Sequence, residues 1–72
     1  MSAADSLTVK LNGEPRRVMA GATIAGMLAE LGLNAERVAV ERNLEIVPRS
    51  TLGEIEVRDG DAFEIVHFVG GG

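Results

Sequence analysis

Apolar and polar positions follow two different periods along the chain, and these periods predict its elements. Residues 7–11 (LTVKL) alternate apolar and polar, which is typical of a strand with one buried face. Asn12-Gly13 follows, a dipeptide that favours a type I′ turn because both central positions of that turn need positive φ. A second strand over residues 14–19, with Val18 facing inward, would complete a hairpin.

From Thr23 onward the period becomes helical. Four apolar residues recur at the spacing i, i+3, i+4 and i+7: Ile24, Met27, Leu28 and Leu31. Thr23 is suited to cap the start of this helix, and Gly32 to take the left-handed position just after its end. Gly26 lies inside the helix, where we expect it to allow a close approach to the sheet.

The second half of the chain is richer in strands. Residues 38–42 predict a third strand, and residues 46–47 a short one that ends at Pro48. Residues 54–57 alternate again and predict a short, acidic edge strand. Residues 62–69 are the longest apolar run, which favours a central position beside the first strand and parallel to it.

This order predicts an α+β domain, in which one main helix packs on one face of a mixed sheet of four to five strands. A hairpin, a helix that returns to the sheet and a long last strand together form the β-grasp arrangement. We expect residues 1–6 to be a flexible N-terminal extension, residues 7–69 the β-grasp domain, and residues 70–72 a flexible glycine tail.

The last strand has two faces. Phe63 and Ile65 would fill the core, with His67 and Val69 on the same side. Val66 and Phe68 would then point away from the helix, toward a face that no second helix covers. An exposed apolar patch on a small acidic protein indicates an interaction surface, so we predict that these two residues contact a partner. A covering loop, or a register shifted by one residue, would remove the patch.

Charge and composition exclude several classes of function. The formal net charge is −4, whereas a nucleic-acid-binding protein needs a basic surface. The chain has no cysteine and therefore no disulfide, zinc-thiolate site or cysteine nucleophile. No apolar run approaches the roughly 20 residues that span a bilayer, and no secretory signal is visible. We expect a cytoplasmic protein that binds neither nucleic acid nor membrane.

Internal catalytic chemistry is not indicated. His67 is the only histidine, and no acid or serine stands at a spacing that suggests a triad with it. Asp59 and Asp61 flank a turn glycine, but the further ligands of a calcium loop are missing. We therefore predict no catalytic residue and no metal site. The three glycines at positions 70–72 could be a loose end, or a slim tail that carries a reactive carboxylate.

The sequence resembles the ThiS family, the ubiquitin-like sulfur carriers of thiamine biosynthesis. The resemblance lies in residues 38–43 (VAVERN), 46–50 (IVPRS), 59–61 (DGD) and 65–72 (IVHFVGGG). The combination of the IVPR segment and the glycine terminus is specific, although each alone is weak. Three features depart from the pattern: the 43–45 turn lacks a glycine, the terminus has three glycines where two would suffice, and the N-terminal extension has no obvious counterpart.

The resemblance implies a carrier that acts as a co-substrate and not as an enzyme. An E1-like adenylyltransferase would use ATP and magnesium to adenylate Gly72, and a cysteine desulfurase or sulfurtransferase relay would convert it to a thiocarboxylate. Thiazole synthase would then receive the sulfur. Gly70, Gly71 and Gly72 would enter the partners' active sites, and Val66 and Phe68 would dock against the partners. The carrier itself would bind no cofactor.

Three alternatives remain at this point. The small subunit of molybdopterin synthase shares the glycine terminus and the Asp-Gly-Asp turn, although it tends to have a proline before the glycines that this chain lacks. A ubiquitin-like modifier would use the same carboxylate to form isopeptide bonds. A β-grasp interaction domain would have no covalent chemistry at all.

Overall fold

The computed structural model describes residues 5–68, which form a five-stranded mixed sheet with one α-helix on one face. The strand order is β2-β1-β5-β3-β4, with β5 in the centre, parallel to β1 and antiparallel to β3. This confirms the predicted α+β, β-grasp architecture and the central place of the last strand. The elements are β1 (Ser6–Leu11), β2 (Glu14–Met19), α1 (Ile24–Glu30), β3 (Val38–Arg42), β4 (Glu45–Val47) and β5 (Ala62–His67).

The first hairpin forms as predicted. Asn12 and Gly13 have φ of 51° and 87°, and Leu11 pairs with Glu14 across this two-residue turn. Val18 is buried on β2. β1 begins at Ser6, one residue earlier than the alternation predicts, and residues 1–4 of the predicted extension lie outside the described residues.

Both caps of helix α1 match the sequence pattern. Thr23 Oγ1 accepts a hydrogen bond from the Gly26 amide at 3.1 Å. At the other end Gly32 takes φ of 78°, and the Gly32 and Leu33 amides donate to carbonyls of the last turn. These two bonds form a Schellman motif, so the helix ends where predicted. The expectation for Gly26 is wrong: it is exposed, and a Cβ there would face Thr23 and not the sheet.

The core lies between α1 and the inner face of the sheet. Phe63 and Ile65 on β5 are buried against it, as the alternation predicts. Leu31 and Leu33 pack at its margin. The buried apolar residues are Val9, Val18, Ile24, Met27, Leu28, Val38, Val40, Val47, Leu52, Val57, Phe63 and Ile65.

The predicted edge strand over residues 54–57 is wrong. This segment is a turn and bend, and its only bridge joins Glu56 to Thr23. Its backbone bonds instead to the start of the helix, where the Val57 amide donates to Ala22 and the Ile55 carbonyl accepts from Ile24. Val57 is buried and Ile55 half-buried because they close the end of the core. Burial of alternate residues in such a loop produces the same sequence pattern as a strand.

The turn between β3 and β4 has an unusual backbone. Arg42 pairs with Glu45, so only Asn43 and Leu44 connect the strands, with φ of 52° and 72°. This is the positive-φ geometry of a type I′ turn, formed without a glycine. Among residues 5–68, no helix has the length and apolar content that a bilayer crossing requires.

Candidate docking face

The outer face of the sheet, which is the side away from α1, exposes large apolar side chains around β5. Val66 and Phe68 are 61% and 54% exposed, whereas Phe63 and Ile65 on the opposite side of the same strand are buried. The predicted orientation of Val66 and Phe68 is confirmed. Their contact with a partner stays a prediction.

Neighbouring strands extend this exposed surface. Ala39 on β3 lies opposite Val66 in the register of β3 and β5. Ile46 on β4 is 78% exposed, on the opposite side of the strand from the buried Val47. We call Ala39, Ile46, Val66 and Phe68 the outer patch. An exposed group of apolar side chains of this kind is typical of a site of protein–protein interaction.

Arg49 holds one edge of the outer patch in place. Its guanidinium lies 5.8 Å from the centre of the Phe68 ring, within the range of a cation–π interaction. The same guanidinium donates to the carbonyls of Ala35 and Val38, each at 3.1 Å. The Phe68 amide also donates to the Arg37 carbonyl at 2.9 Å. The chain is therefore fixed at Phe68, two residues before the first glycine of the tail.

Two carboxylates interrupt the apolar surface. Glu41 on β3 lies directly opposite Glu64 on β5, and Ile46 pairs with Glu41 from the other side. Within residues 5–68 the single ion pair is that of Arg42 with Asp61, so neither glutamate has a cationic partner there. Like charges directly opposite one another on a sheet are destabilising. The outer face is thus both apolar and acidic.

Asp61 organises the turns at the opposite end of β5 from Phe68. It is buried and accepts hydrogen bonds from the Arg58 amide, from Asn43 Nδ2 and from Arg42 Nε, at 2.9, 3.2 and 3.1 Å. Burial by itself raises the pKa of Asp61, but these three hydrogen bonds and the charge of Arg42 outweigh it and hold the pKa below its ordinary value of 3.8. Asp61 is therefore a structural carboxylate, as the turn pattern indicates.

The residues that could act in catalysis or metal binding are not assembled. No group of three or more histidine, cysteine or acidic side chains suited to a metal ion occurs in the part of the chain that the structure describes. Asp59 accepts from the Thr8 amide at 2.9 Å, a structural bond that joins the loop before β5 to β1. His67 lines a cavity of 210 Å³ together with Arg16, Leu31 and Leu33, and no carboxylate lines that cavity.

The predicted tail residues Gly70, Gly71 and Gly72 lie outside the described residues, as does Val69. The structure adds Ile46 and Arg49 to the docking face, and neither was predicted. A signal for Ile46 was present, because Val47 next to it belongs to the core and strand side chains alternate. Arg49 had no such signal, since its contacts depend on how a loop folds against the start of β3.

Comparisons with known proteins agree with this fold and face. The ThiS family model matches residues 9–72. The sulfur carrier protein ThiS of Bacillus subtilis is 50% identical over 50 residues, covering 69% of this chain and 76% of that protein. The crystal structure of the thiamine biosynthesis protein ThiS from Geobacter metallireducens superposes with a TM-score of 0.78 at 35% identity, covering 92% of this chain and all of that one.

Two longer proteins contain a similar segment. The thiazole synthase of Paramagnetospirillum magneticum is 53% identical over 62 residues, which cover 86% of this chain and 19% of that protein. The thiazole synthase of Magnetococcus marinus is 47% identical over 66 residues, or 92% of this chain and 20% of that protein. The chain thus spans about a fifth of the length of these two relatives.

Proposed function

The chain belongs to the ThiS family of sulfur carriers in thiamine biosynthesis, and on that premise we propose that Gly72 carries the sulfur as a thiocarboxylate. The observation that carries this proposal is the family match over residues 9–72, which extends through the whole glycine segment. Gly70 and Gly71 would then let the tail enter a narrow active site, because glycine has no Cβ.

The chemistry needs activation of a carboxylate, which is a poor acyl donor because it is negatively charged and has no good leaving group. In the proposed sequence an E1-like adenylyltransferase binds ATP and magnesium, and the Gly72 carboxylate displaces pyrophosphate to form an acyl-adenylate. A persulfide on a cysteine desulfurase or sulfurtransferase relay would then displace AMP to form an acyl disulfide. A thiol would attack the S–S bond, releasing the thiocarboxylate and leaving a disulfide on the relay. The carrier supplies the acyl group and the docking face, while the catalytic groups belong to its partners.

We propose thiazole synthase as the acceptor of the sulfur. Two thiazole synthases include a segment about half identical to this chain, which supports a functional link between the two activities. The outer patch supports docking, since Phe68 lies two residues before Gly70 and is held by Arg49. We place the transfer in the cytoplasm, in keeping with the expectation from the sequence.

Intact-mass spectrometry tests the proposal. The full chain is incubated with the E1-like enzyme, magnesium-ATP and a sulfur source, and we expect the mass change of one oxygen-to-sulfur exchange at Gly72. A variant that lacks Gly72 is the control and should keep the wild-type unfolding midpoint but take up no sulfur. Sulfur loading of that variant would contradict the role of Gly72. Conjugates to other proteins would support a modifier instead, and an unchanged mass would favour a non-covalent domain.

A further inference from the structure

Leu44 is an apolar residue that is exposed to solvent and has an unfavourable backbone conformation. Its side chain is 89% exposed, and its φ of 72° lies in the left-handed region that disfavours residues with a Cβ. Strained backbone persists where the surrounding structure enforces it, and such positions cluster at functional sites. An exposed leucine held in this way is therefore a candidate for contact with another protein.

The turn that presents Leu44 is fixed to the start of β5. The Asn43 amide donates to the Ala62 carbonyl at 2.7 Å, and the Ala62 amide donates back to Asn43 Oδ1 at 2.9 Å. Asn43 Nδ2 also donates to the buried Asp61. The backbone at Leu44 is consequently held at a defined place on the edge of the outer face, so little backbone freedom would be lost when the leucine is bound.

Beside Leu44 the outer face forms a groove of 180 Å³, lined also by Ala62, Glu41, Glu64 and Lys10. Its walls are mostly apolar, and both glutamates lack an ion-pair partner within residues 5–68. Lys10 lines the groove but forms no ion pair there either. A basic side chain from outside could lay its aliphatic stem along the apolar wall and place its charge between the carboxylates.

We propose that this groove and Leu44 form a second docking point, which receives a basic side chain and an apolar pocket on the surface of thiazole synthase. The inference rests on the proposed function, and it adds a contact separate from the outer patch around Phe68. Ala62 and Phe68 are six residues apart along β5 and its extension, so the two points lie about 20 Å apart at roughly 3.3 Å per residue. Contacts at both points would fix the direction in which the tail leaves the sheet.

The negative charge of Glu41 and Glu64 favours a partner that presents a basic side chain to the groove. Docking would add a positive charge beside Glu41 and Glu64, which form no ion pair within residues 5–68, and it would cover the exposed leucine at the same time. The relatives in which a similar segment forms part of a thiazole synthase favour that enzyme as the occupant.

The test measures binding of the full chain to purified thiazole synthase by calorimetry at several salt concentrations. We expect the double variant Glu41→Gln/Glu64→Gln to bind at least tenfold more weakly, with a shallower salt dependence, and yet to unfold at a higher temperature because the like-charge pair is removed. Leu44→Asn, which introduces a residue more tolerant of positive φ, should also bind at least tenfold more weakly. Glu54→Gln makes a single charge change on an exposed loop near α1 and should bind as wild type does.

If the double variant binds with the affinity and salt dependence of wild type, the groove is not a docking point. If Leu44→Asn binds with wild-type affinity, Leu44 does not contribute to docking. Loss of affinity for the E1-like enzyme alone would overturn the choice of occupant. Sulfur loading of the wild-type chain is measured in parallel by intact mass. If loading succeeds while the variants bind normally, the inference fails and the carrier function stands; if wild-type loading fails, the carrier function itself is contradicted, and the choice of thiazole synthase with it.

Discussion

Asn12 and Ile65 exchange two hydrogen bonds, in which Asn12 Oδ1 accepts from the Ile65 amide at 2.8 Å and Asn12 Nδ2 donates to the Ile65 carbonyl at 3.2 Å. Asn12 stands in the first hairpin turn, just past the last backbone pair of β1 with β5, Leu11 with Phe63. Its side-chain amide therefore continues the parallel ladder for one more step. One residue serves both the turn and the central strand.

Replacement of Asn12 should separate these two roles. Asn12→Gly keeps a residue suited to positive φ but loses both side-chain bonds, and we expect it to lower the free energy of unfolding by about 1–2 kcal/mol. Asn12→Ala loses the same bonds and adds a left-handed Cβ, so it should cost about 1 kcal/mol more. Urea unfolding measures both. Equal stability of the glycine variant and wild type would show that the amide does not extend the ladder.

Asp61 should make stability depend on pH. Its pKa is lowered in the folded chain, so its contribution is fully present above the unfolded value of 3.8 and is lost as the pH falls through the folded pKa. We expect the stability difference between wild type and Asp61→Asn to shrink as the pH is lowered from about 6 to about 2. Urea midpoints across this range measure it, with Glu54→Gln as the control. A difference that stays constant with pH would contradict the lowered pKa.

The turn at Leu44 should be improved by glycine. Leu44→Gly removes a Cβ from a residue with φ of 72°, and we expect it to raise the free energy of unfolding by about 1 kcal/mol. Leu44→Ala is the matched control, because it removes the exposed side chain but keeps the Cβ, and it should leave stability almost unchanged. If the alanine variant were as stable as the glycine variant, the gain in stability would come from removing the exposed side chain and not from relieving the backbone strain.

Phe68 should matter for binding more than for folding. Phe68→Asp replaces a half-exposed ring, so we expect it to lower the free energy of unfolding by less than about 1.5 kcal/mol, with most of that from the lost contact with Arg49. Its affinity for thiazole synthase should fall at least tenfold. Met19→Asp, an equivalent change at an exposed methionine on the edge strand β2, is the control and should bind normally. A loss of several kcal/mol in Phe68→Asp would mean that the ring belongs to the core.

The parts of the fold that local chemistry determines could be predicted from the sequence. Asn12-Gly13, the Thr23 cap and the Gly32 stop each act within a few residues, so their patterns define the hairpin and the helix. The apolar run after residue 61 also indicated the central strand, although β5 is buried only on the side that faces the helix and its other side is exposed. The strand predicted over residues 54–57 was wrong because a loop that closes a core can bury alternate residues, as a strand does.

The parts that depend on contacts between distant segments could not be predicted. Asp61 bonds to Asn43 across 18 residues, and Arg49 reaches Phe68 and two carbonyls that precede it in the chain. The strained turn at Leu44 could not be predicted beyond the absence of a glycine, because its geometry is enforced by tertiary hydrogen bonds from Asn43. Val66 and Phe68 were recognisable as exposed, whereas the opposing glutamates beside them became visible only once the register was known.

The central position of β5 also determines how the domain responds to force. A pull on the chain beyond Phe68 acts along β5, which is hydrogen-bonded to β1 on one side and β3 on the other. Such a load shears the hydrogen bonds to both neighbouring strands together and does not open them one at a time. Because β5 is bonded on both sides, the strand that leads into the glycine segment resists such a load more than an edge strand such as β2 or β4 would.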